Sequence, residues 1–449
     1  MRALLTSLVF APLASLTKRH GEMGWSIMGR ADDNFLPFDK FLDQVKRAEY
    51  KDYSKTFVKN ETAFEEMREH VLLMYSGITD RSKVSSFVQD GQYGDCILVK
   101  EQPTVHLLNL TEIAKPPSGF VSAPKDGTAP NNGSYAESPL KQGLKDKYGN
   151  AIACPAESIP MARLSLEQIT RFPTLLDFFS KYQYPQTNAT LGKRADSATH
   201  LWAFGSQWVD NFGGNSWLNL WNPKAAFSIS QQWYVGLNGS DPQQTLEGGW
   251  TVNKERQPNS DLARLFIFWT ADNYKNAKCW NLDCAAFVQI NHNWFIGGIW
   301  DHYSTIDGQQ WGFELQWKKY KSNWWMFLKG PGSYEAVGYY PDSIYNGGQL
   351  SRNATLIEYG GEVANITSGF GEMGSGHHAA EGWAKAAYQR TIFWIPRNED
   401  GGVGEWTNLN PAVIGSPKCY SIDLKNAPNG GNWGTHFYYG GPGGQDCAV

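Results

Sequence analysis

Tryptophan divides this 449-residue chain into two parts of different character. Eighteen of the nineteen tryptophans lie after the dibasic pair Lys193-Arg194, and only Trp25 lies before it. Charge changes at the same place, since 46 of the first 194 residues are charged but only 38 of the last 255. A single domain is not expected to change composition so sharply. The division predicts a charged N-terminal segment, a processing site at Lys193-Arg194 and an aromatic-rich C-terminal domain. The alternative is an uncut protein of two domains joined by a basic linker.

The N-terminus has the pattern of a secretory signal, because Met1-Arg2 precede an apolar stretch that ends at Leu16. We therefore predict a signal peptide over residues 1–17, a pro-segment over 18–194 and a mature domain over 195–449. Asn-x-Ser/Thr sequons agree with export and a secreted, extracellular protein. The predicted glycosylation sites are Asn60, Asn109, Asn132, Asn188, Asn238, Asn353 and Asn365.

Composition excludes several functional classes. The formal net charge of −4 argues against nucleic acid as a partner, because phosphate binding needs a basic surface. No run of 18 apolar residues is present, so no membrane span is expected. No phosphate-binding loop or cofactor motif occurs, and we expect a monomer without a cofactor.

The six cysteines are divided two and four between the parts, which favours disulfides within each part in an oxidising compartment. The predicted pairs are Cys96–Cys154, Cys279–Cys284 and Cys419–Cys447. A zinc site is the competing interpretation, but it needs His or Cys pairs at ligand spacing and a reducing compartment. We therefore predict no metal.

Hydrophobic periodicity differs between the two parts. Phe38, Phe41, Leu42 and Val45 recur at helical spacing, and capping-box patterns open at Thr62 and at Ser165. The second part instead carries short β-branched and aromatic runs separated by Gly, Asn, Asp and Pro. These runs are 228–235, 262–270, 285–294, 312–319, 323–328, 354–359, 386–395 and 435–439. The patterns predict a mainly β protein, in which an antiparallel β-sandwich follows a smaller mixed α/β pro-domain.

Two strings place carboxylates among strand-forming residues and glycine: Leu246-Glu247-Gly-Gly-Trp250 and Ile357-Glu358-Tyr-Gly-Gly-Glu362. Glycine beside an acid leaves backbone open for a substrate to approach. Two partly buried acids that face each other take one protonated and one ionised form, which suits acid/base hydrolysis. From spacing alone, a salt-bridged structural glutamate is the competing interpretation.

An ordered series of motifs adds to these strings. In the first part it comprises Asp95-Cys96-Ile97, Gln102-Pro103, Cys154-Pro155 and Ser158-Ile-Pro-Met161. In the second it comprises Trp217-Leu-Asn-Leu-Trp221, Ser228-Ile-Ser-Gln231-Gln-Trp233, Cys279-Trp-Asn-Leu-Asp-Cys284, Val337-Gly-Tyr-Tyr-Pro341, Met373-Gly-Ser-Gly-His377 and Trp433-Gly-Thr-His-Phe-Tyr-Tyr-Gly-Gly-Pro442. Together with the two glutamate strings, the chain resembles the neprosin family of secreted glutamic peptidases.

The resemblance implies two catalytic glutamates, Glu247 and Glu362, with Glu358 as the alternative to Glu362. Candidates for a supporting role are Gln231, Trp250 and Tyr359. The implied function is a secreted glutamic endopeptidase, made as a pro-enzyme, that hydrolyses protein or peptide substrates at acidic pH. The family's preference for proline before the scissile bond is implied as well.

The predicted partners are protein or peptide substrates and a dibasic-specific processing protease that cuts at Lys193-Arg194. Two alternatives from other classes share these features. A glycoside hydrolase also uses two carboxylates, and a carbohydrate-binding sandwich uses exposed tryptophans without an acid pair.

Overall fold

The computed structural model describes residues 36–79, 81–124, 137–140, 142, 154–181, 200–239, 241–365, 369–398, 402–427, 429 and 431–447. The predicted signal peptide, the pair Lys193-Arg194 and the sequons at Asn132 and Asn188 lie outside the described residues. Within the described ranges, no helix is both long and apolar enough to cross a bilayer.

Residues 36–181, here called the N-terminal region, form a small mixed unit. Its helices are α1 Phe38–Arg47, α2 Tyr50–Tyr53, α3 Glu61–Met74, α4 Pro103–Leu107, α5 Leu166–Ile169 and α6 Leu175–Phe179. Its strands are β1 Lys83–Gln89, β2 Gln92–Leu98, β3 Glu137–Pro139 and β4 Ser158–Ala162. β1, β2 and β4 pair antiparallel in one sheet, so the prediction of a smaller region with helices and strands is confirmed.

The predicted helical periodicity produces α1, whose Phe38, Phe41 and Val45 are buried. Both phenylalanine rings meet Tyr75 edge to face, at centroid distances of 5.4 and 5.6 Å. The capping box predicted at Ser165 is present. The cap predicted at Thr62 is wrong, because Asn60 Oδ1 accepts from the Ala63 amide at 2.9 Å and the helix begins one residue before Thr62.

Residues 200–447, here called the sandwich, contain the other strands. They are β5 His200–Asn211, β6 Gly213–Asn219, β7 Phe227–Gly236, β8 Gln244–Asn253, β9 Arg264–Thr270, β10 Lys278–Trp280, β11 Val288–Gln289, β12 Gln310–Tyr320, β13 Asn323–Lys329, β14 Glu335–Pro341, β15 Ala354–Ala364, β16 Ala387–Trp394, β17 Glu405–Trp406, β18 Asn410–Ile414, β19 Ser421–Lys425 and β20 His436–Gly440. The large antiparallel sheets confirm the predicted fold class.

Two sheets face each other across one core. The seven-stranded sheet has the order β10-β9-β8-β7-β15-β5-β18, and the second has the order β11-β14-β13-β12-β6-β16-β20-β19. β17 pairs with β16, while β3 of the N-terminal region pairs in parallel with β12. Polar groups join the layers, because Gln232 of β7 donates to the Leu315 carbonyl of β12 at 2.8 Å. Because β3 pairs with β12, the N-terminal region contributes a strand to the second sheet.

Alternation along β13 sends neighbouring tryptophans to opposite faces. Trp324 is buried in the core between the sheets. Trp325 is buried on the outer face, where Val105, Leu110 and Ile113 of the N-terminal region pack against its cluster. The N-terminal region therefore shields aromatic surface that the sandwich does not cover by itself.

One predicted strand is largely wrong. Of residues 285–294, only Val288 and Gln289 pair as a strand. The rest is loop because its aromatic residues point into the core from irregular backbone, with Phe287 against Tyr340 at a centroid distance of 4.9 Å.

All three predicted disulfides are present: Cys96–Cys154, Cys279–Cys284 and Cys419–Cys447. Among the described sequons, Asn60, Asn109, Asn238 and Asn365 are exposed. Asn353 is buried, and its Nδ2 donates to the Ala354 carbonyl at 2.8 Å. Because that nitrogen would carry a glycan, the fold does not present Asn353 as an acceptor.

Candidate active site

The predicted acids lie on β8 and β15, the two strands that flank β7 in the seven-stranded sheet. Across the register, Trp233 of β7 is opposite both Glu247 of β8 and Glu358 of β15, while Ile229 is opposite Glu362. Side chains two residues apart in a strand share a face, so all three glutamates point to the same side. This side, here called the cleft face, is turned away from the second sheet.

Between the rows of Glu247 and Glu362 lies a row that is nearly free of side chains. Gln231 is opposite Gly249 on one neighbouring strand and Gly360 on the other. A Cβ at Gly249 would lie 2.0 Å from the Ser230 carbonyl oxygen, and one at Gly360 would lie 2.4 Å from the Ala203 carbonyl oxygen. Only glycine fits these positions, and its bare backbone leaves room between the two acids.

Lys181, which follows α6 in the N-terminal region, occupies that room. Its Nζ lies 2.7 Å from Glu247 Oε2 and 2.7 Å from Glu362 Oε2. The side chains of all three residues are 0% exposed. The ammonium also lies 5.3 Å from the centroid of a Trp233 ring, within range of a cation–π interaction. The two carboxylates therefore share one cation, and their Oε2 atoms are no more than twice 2.7 Å apart.

Further groups orient each carboxylate. Glu247 Oε1 accepts from the Thr245 hydroxyl at 2.8 Å and from the Tyr274 hydroxyl at 2.9 Å. Glu362 Oε1 accepts from His200 Nδ1 at 2.8 Å, while its Oε2 accepts from Gln231 Nε2 at 3.0 Å. Each acid is thus fixed by two partners from the sandwich, independently of Lys181.

These contacts shift the pKa values of the groups. Burial alone would raise the pKa of Glu362, but the Lys181 ammonium and the hydrogen bond from His200 outweigh it and hold the pKa below the ordinary 4.5. Burial alone would lower the pKa of Lys181, yet the two carboxylates outweigh it and raise the pKa above 10.5. Lys181 and Glu362 are therefore held in their charged forms.

Glu358 has a different environment on the same face. Burial, followed by repulsion from Glu247, raises its pKa to about 7. In the described part of the chain, Glu358 makes no ion pair with Lys181, which is shared by the other two glutamates. The geometry therefore brings together Glu247 and Glu362, the pair that the resemblance implies, and leaves Glu358 beside it.

The three supporting candidates are divided between the two faces. Gln231 contacts Glu362 directly. Trp250 and Tyr359 point into the core, where Trp250 Nε1 donates to the Asn219 carbonyl at 2.9 Å and the Tyr359 hydroxyl lies 3.3 Å from that of Tyr234. Alternation explains this placement, since Trp250 and Tyr359 are each an odd number of residues from the glutamates in their own strands.

Sequence reasoning missed Lys181, His200, Thr245 and Tyr274. Thr245 could have been found, because it is two residues from Glu247, and side chains two residues apart in a strand share a face. The other three come from distant parts of the chain and carry no local signal. Among the described residues, no group of three His, Cys, Asp or Glu side chains is arranged to hold a metal ion.

Fold and site together define an antiparallel β-sandwich whose cleft face carries a buried pair of glutamates bridged by a lysine. Residues 224–442, slightly less than half of the chain, match the family described as Neprosin. The matched range includes Glu247 and Glu362 but neither Lys181 nor His200. This match supports a peptidase role.

Among solved structures, the chain is similar to the crystal structure of Scytalido-glutamic peptidase with a peptide based transition state analog. The sequence identity is 8% and the TM-score is 0.26, with 55% of this chain and 98% of that chain covered. A likeness of this size carries no argument about the site.

Proposed function

We propose that the protein is a secreted glutamic endopeptidase, made as a latent pro-enzyme, in which Glu247 and Glu362 activate a water molecule. The observation that carries this proposal is the position of Lys181 Nζ, 2.7 Å from an oxygen of each glutamate. A water molecule at the same point, once the lysine has left, would be within hydrogen-bonding distance of both carboxyl groups.

In this mechanism Glu362 is the general base. His200 and Gln231 would still donate to its carboxylate after Lys181 leaves, and hydrogen bonds to a carboxylate favour its ionised form. The ionised carboxylate takes a proton from the water, whose oxygen then attacks the peptide carbonyl carbon. Glu247, which accepts from two neutral hydroxyls, acts in its protonated form and donates to the developing oxyanion or to the leaving amine.

The same geometry would keep the uncleaved protein inactive, because Lys181 fills the place of the water and neutralises the charge of Glu362, the general base. We propose that cleavage after Arg194 allows the segment that carries Lys181 to leave. The N-terminal region stays attached by other contacts, including Glu137 with Arg390 at 2.8 Å and Gln102 with Gln289 at 2.9 Å. Cleavage therefore needs a second step, and we propose that acid provides it by protonating the two glutamates.

Export belongs to the same proposal. The predicted signal peptide would direct secretion, and the exposed sequons at Asn60, Asn109, Asn238 and Asn365 would accept glycans. Cleavage after proline is the specificity that the resemblance implies. A peptide-library digest read by mass spectrometry measures it.

The decisive test replaces each glutamate by glutamine in the protein cleaved after Arg194. Glu247→Gln and Glu362→Gln keep the shape but remove the titratable proton, so each should abolish casein hydrolysis at pH 3 to 5 while the fold is unchanged by circular dichroism. Glu358→Gln is the matched control on the same face and should retain most activity. Full activity in either of the first two variants contradicts the assignment, and loss in Glu358→Gln alone would transfer the role to Glu358.

The carbohydrate-directed alternative is tested on the same samples. Polysaccharides incubated with the cleaved protein should remain intact, and binding to them should be absent. Polysaccharide hydrolysis that is lost in Glu247→Gln, together with intact casein, would identify a glycoside hydrolase instead. Polysaccharide binding that persists in both glutamate variants would identify a binding module.

A further inference from the structure

The segment that enters the cleft is held by its main chain as well as by Lys181. Trp280 Nε1 donates to the Ser180 carbonyl at 3.1 Å, and Arg256 Nη1 donates to the Phe178 carbonyl at 2.7 Å. Both donors belong to the sandwich, and both acceptors are backbone atoms. Because every peptide presents such carbonyls, the two contacts can form with a peptide of different sequence.

One side chain of the segment is also recognised. The Arg256 guanidinium lies 4.3 Å from the centroid of the Phe178 ring, and Phe178 is 2% exposed. A cation this close to an aromatic face is attracted by the electron-rich ring. A lysine at this position would place a like charge beside Arg256. An acidic side chain would lose the contact between the guanidinium and an aromatic ring. The pocket therefore favours an aromatic ring.

Arg256 is positioned by the sandwich itself. It forms an ion pair with Asp283 and lies 5.5 Å from the centroid of a Trp280 ring. These partners remain when the N-terminal segment is absent, so the guanidinium and the indole N–H would stay in place. A cavity borders Phe178, Arg256, Trp280 and Asp283, which leaves room for aromatic rings larger than that of Phe178. The site is thus preorganised for a ligand.

We propose that Arg256 and Trp280 form a substrate subsite that binds the peptide main chain and selects an aromatic side chain a few residues from the scissile bond. This inference rests on the proposed function, since it treats residues 178–181 as occupying the place of a substrate. Arg256 and Trp280 act in binding and positioning, away from the reacting atoms. Phe178 lies near the end of α6 and three residues from Lys181. Because an extended residue spans more distance than a helical one, an extended peptide covers this separation in no more residues, and the aromatic position lies within about four residues of the cleaved bond.

The test uses the full chain cleaved after Arg194 and freed of its N-terminal segment at acidic pH. The substrates are internally quenched fluorescent peptides that vary at one position at a time. The peptides cleaved fastest should carry Phe, Tyr or Trp at a single position near the scissile bond. Arg256→Ala should raise KM for the aromatic peptides about tenfold or more, with kcat nearly unchanged, and should remove the enrichment. Arg352→Ala, on a surface loop of the same domain, is the control and should leave the profile unchanged.

Two further variants distinguish a loss of peptide binding from a folding defect. Arg256→Lys keeps a cation for Asp283 but loses the planar guanidinium, so it should lower the aromatic preference while thermal unfolding remains close to wild type. Trp280→Phe removes the indole N–H but keeps an aromatic ring, and should raise KM several-fold for all peptides alike. An unchanged profile in Arg256→Lys and Arg256→Ala overturns the proposal, as does a wild-type profile without an aromatic position.

A binding measurement separates this proposal from the proposed function. A synthetic peptide with the sequence of residues 172–181 should bind the cleaved, segment-free Glu247→Gln protein in a calorimeter. Replacing its residue equivalent to Phe178 by alanine should weaken binding about tenfold or more. If no peptide is hydrolysed by the wild type but this difference is observed, the proposed function fails while the subsite stands. If hydrolysis is observed but both peptides bind equally, the subsite fails alone.

Discussion

Replacing Lys181 by methionine should activate the uncleaved protein. It should also lower the free energy of unfolding by an amount that depends on pH. The variant keeps the length of the side chain but leaves two fully buried carboxylates without their shared cation. Removing one partner of a buried ion pair costs about 3–5 kcal/mol of the free energy of unfolding, and we expect a loss in that range at pH 7. The empty point between the acids can then take a water, so the uncleaved variant should hydrolyse peptides.

The loss should shrink as the pH falls, for two reasons with the same sign. In the variant, mutual repulsion and burial raise the folded-state pKa of the acids above 4.5, so the variant gains stability as the pH falls towards 4.5. In the wild type the pKa of Glu362 is lowered, so its contribution is present above 4.5 and is lost as the pH falls below that value. Each proton contributes up to about 1.4 kcal/mol per pH unit. The difference between the proteins should therefore be largest at neutral pH and small near pH 3.

Urea unfolding of both uncleaved proteins at pH 7, 5 and 3, with a fluorogenic peptide assay in parallel, measures both effects. Lys319→Met is the control, because Lys319 is a buried lysine on the other sheet whose Nζ lies 3.2 Å from Asp342 Oδ2. It should lose stability without gaining activity. An equal loss for Lys181→Met at every pH would assign the effect to packing. A variant that is destabilised but inactive until cleaved would refute the blocking role of the lysine.

Three other predictions can be checked directly. Lys193→Ala combined with Arg194→Ala should leave a latent, full-length secreted protein, whereas N-terminal sequencing of wild-type material should find Ala195 first; full activity of the double variant without cleavage would favour two permanent domains. The activity of the cleaved protein should follow a bell-shaped, acidic pH profile because two coupled carboxyl groups must share one proton, and an optimum above pH 7 or inhibition by chelators would contradict this. Replacing Cys419 and Cys447 by serine should cost about 2–5 kcal/mol in unfolding experiments, and an unchanged midpoint would show that this disulfide contributes nothing.

The sequence by itself determined the features that depend on local pattern and composition. The spacing of Phe38, Phe41 and Val45 fixes the buried face of a helix, because 3.6 residues per turn return these side chains to one side. Period-two alternation places Glu358 and Glu362 on one face of a strand. Even cysteine numbers in each part led to the disulfides that are found.

Only the tertiary structure decided which charged groups meet. Lys181 is one of 40 lysines and arginines, it follows a short helix, and its partner Glu247 is 66 residues away. His200 and Glu362 are 162 residues apart. A local pattern cannot encode such approaches, because they depend on the pairing register of three strands and on where the N-terminal region docks. The sequence predicts two acids, but Lys181 comes to lie between them only when the seven-stranded sheet has formed and the N-terminal region has docked on it.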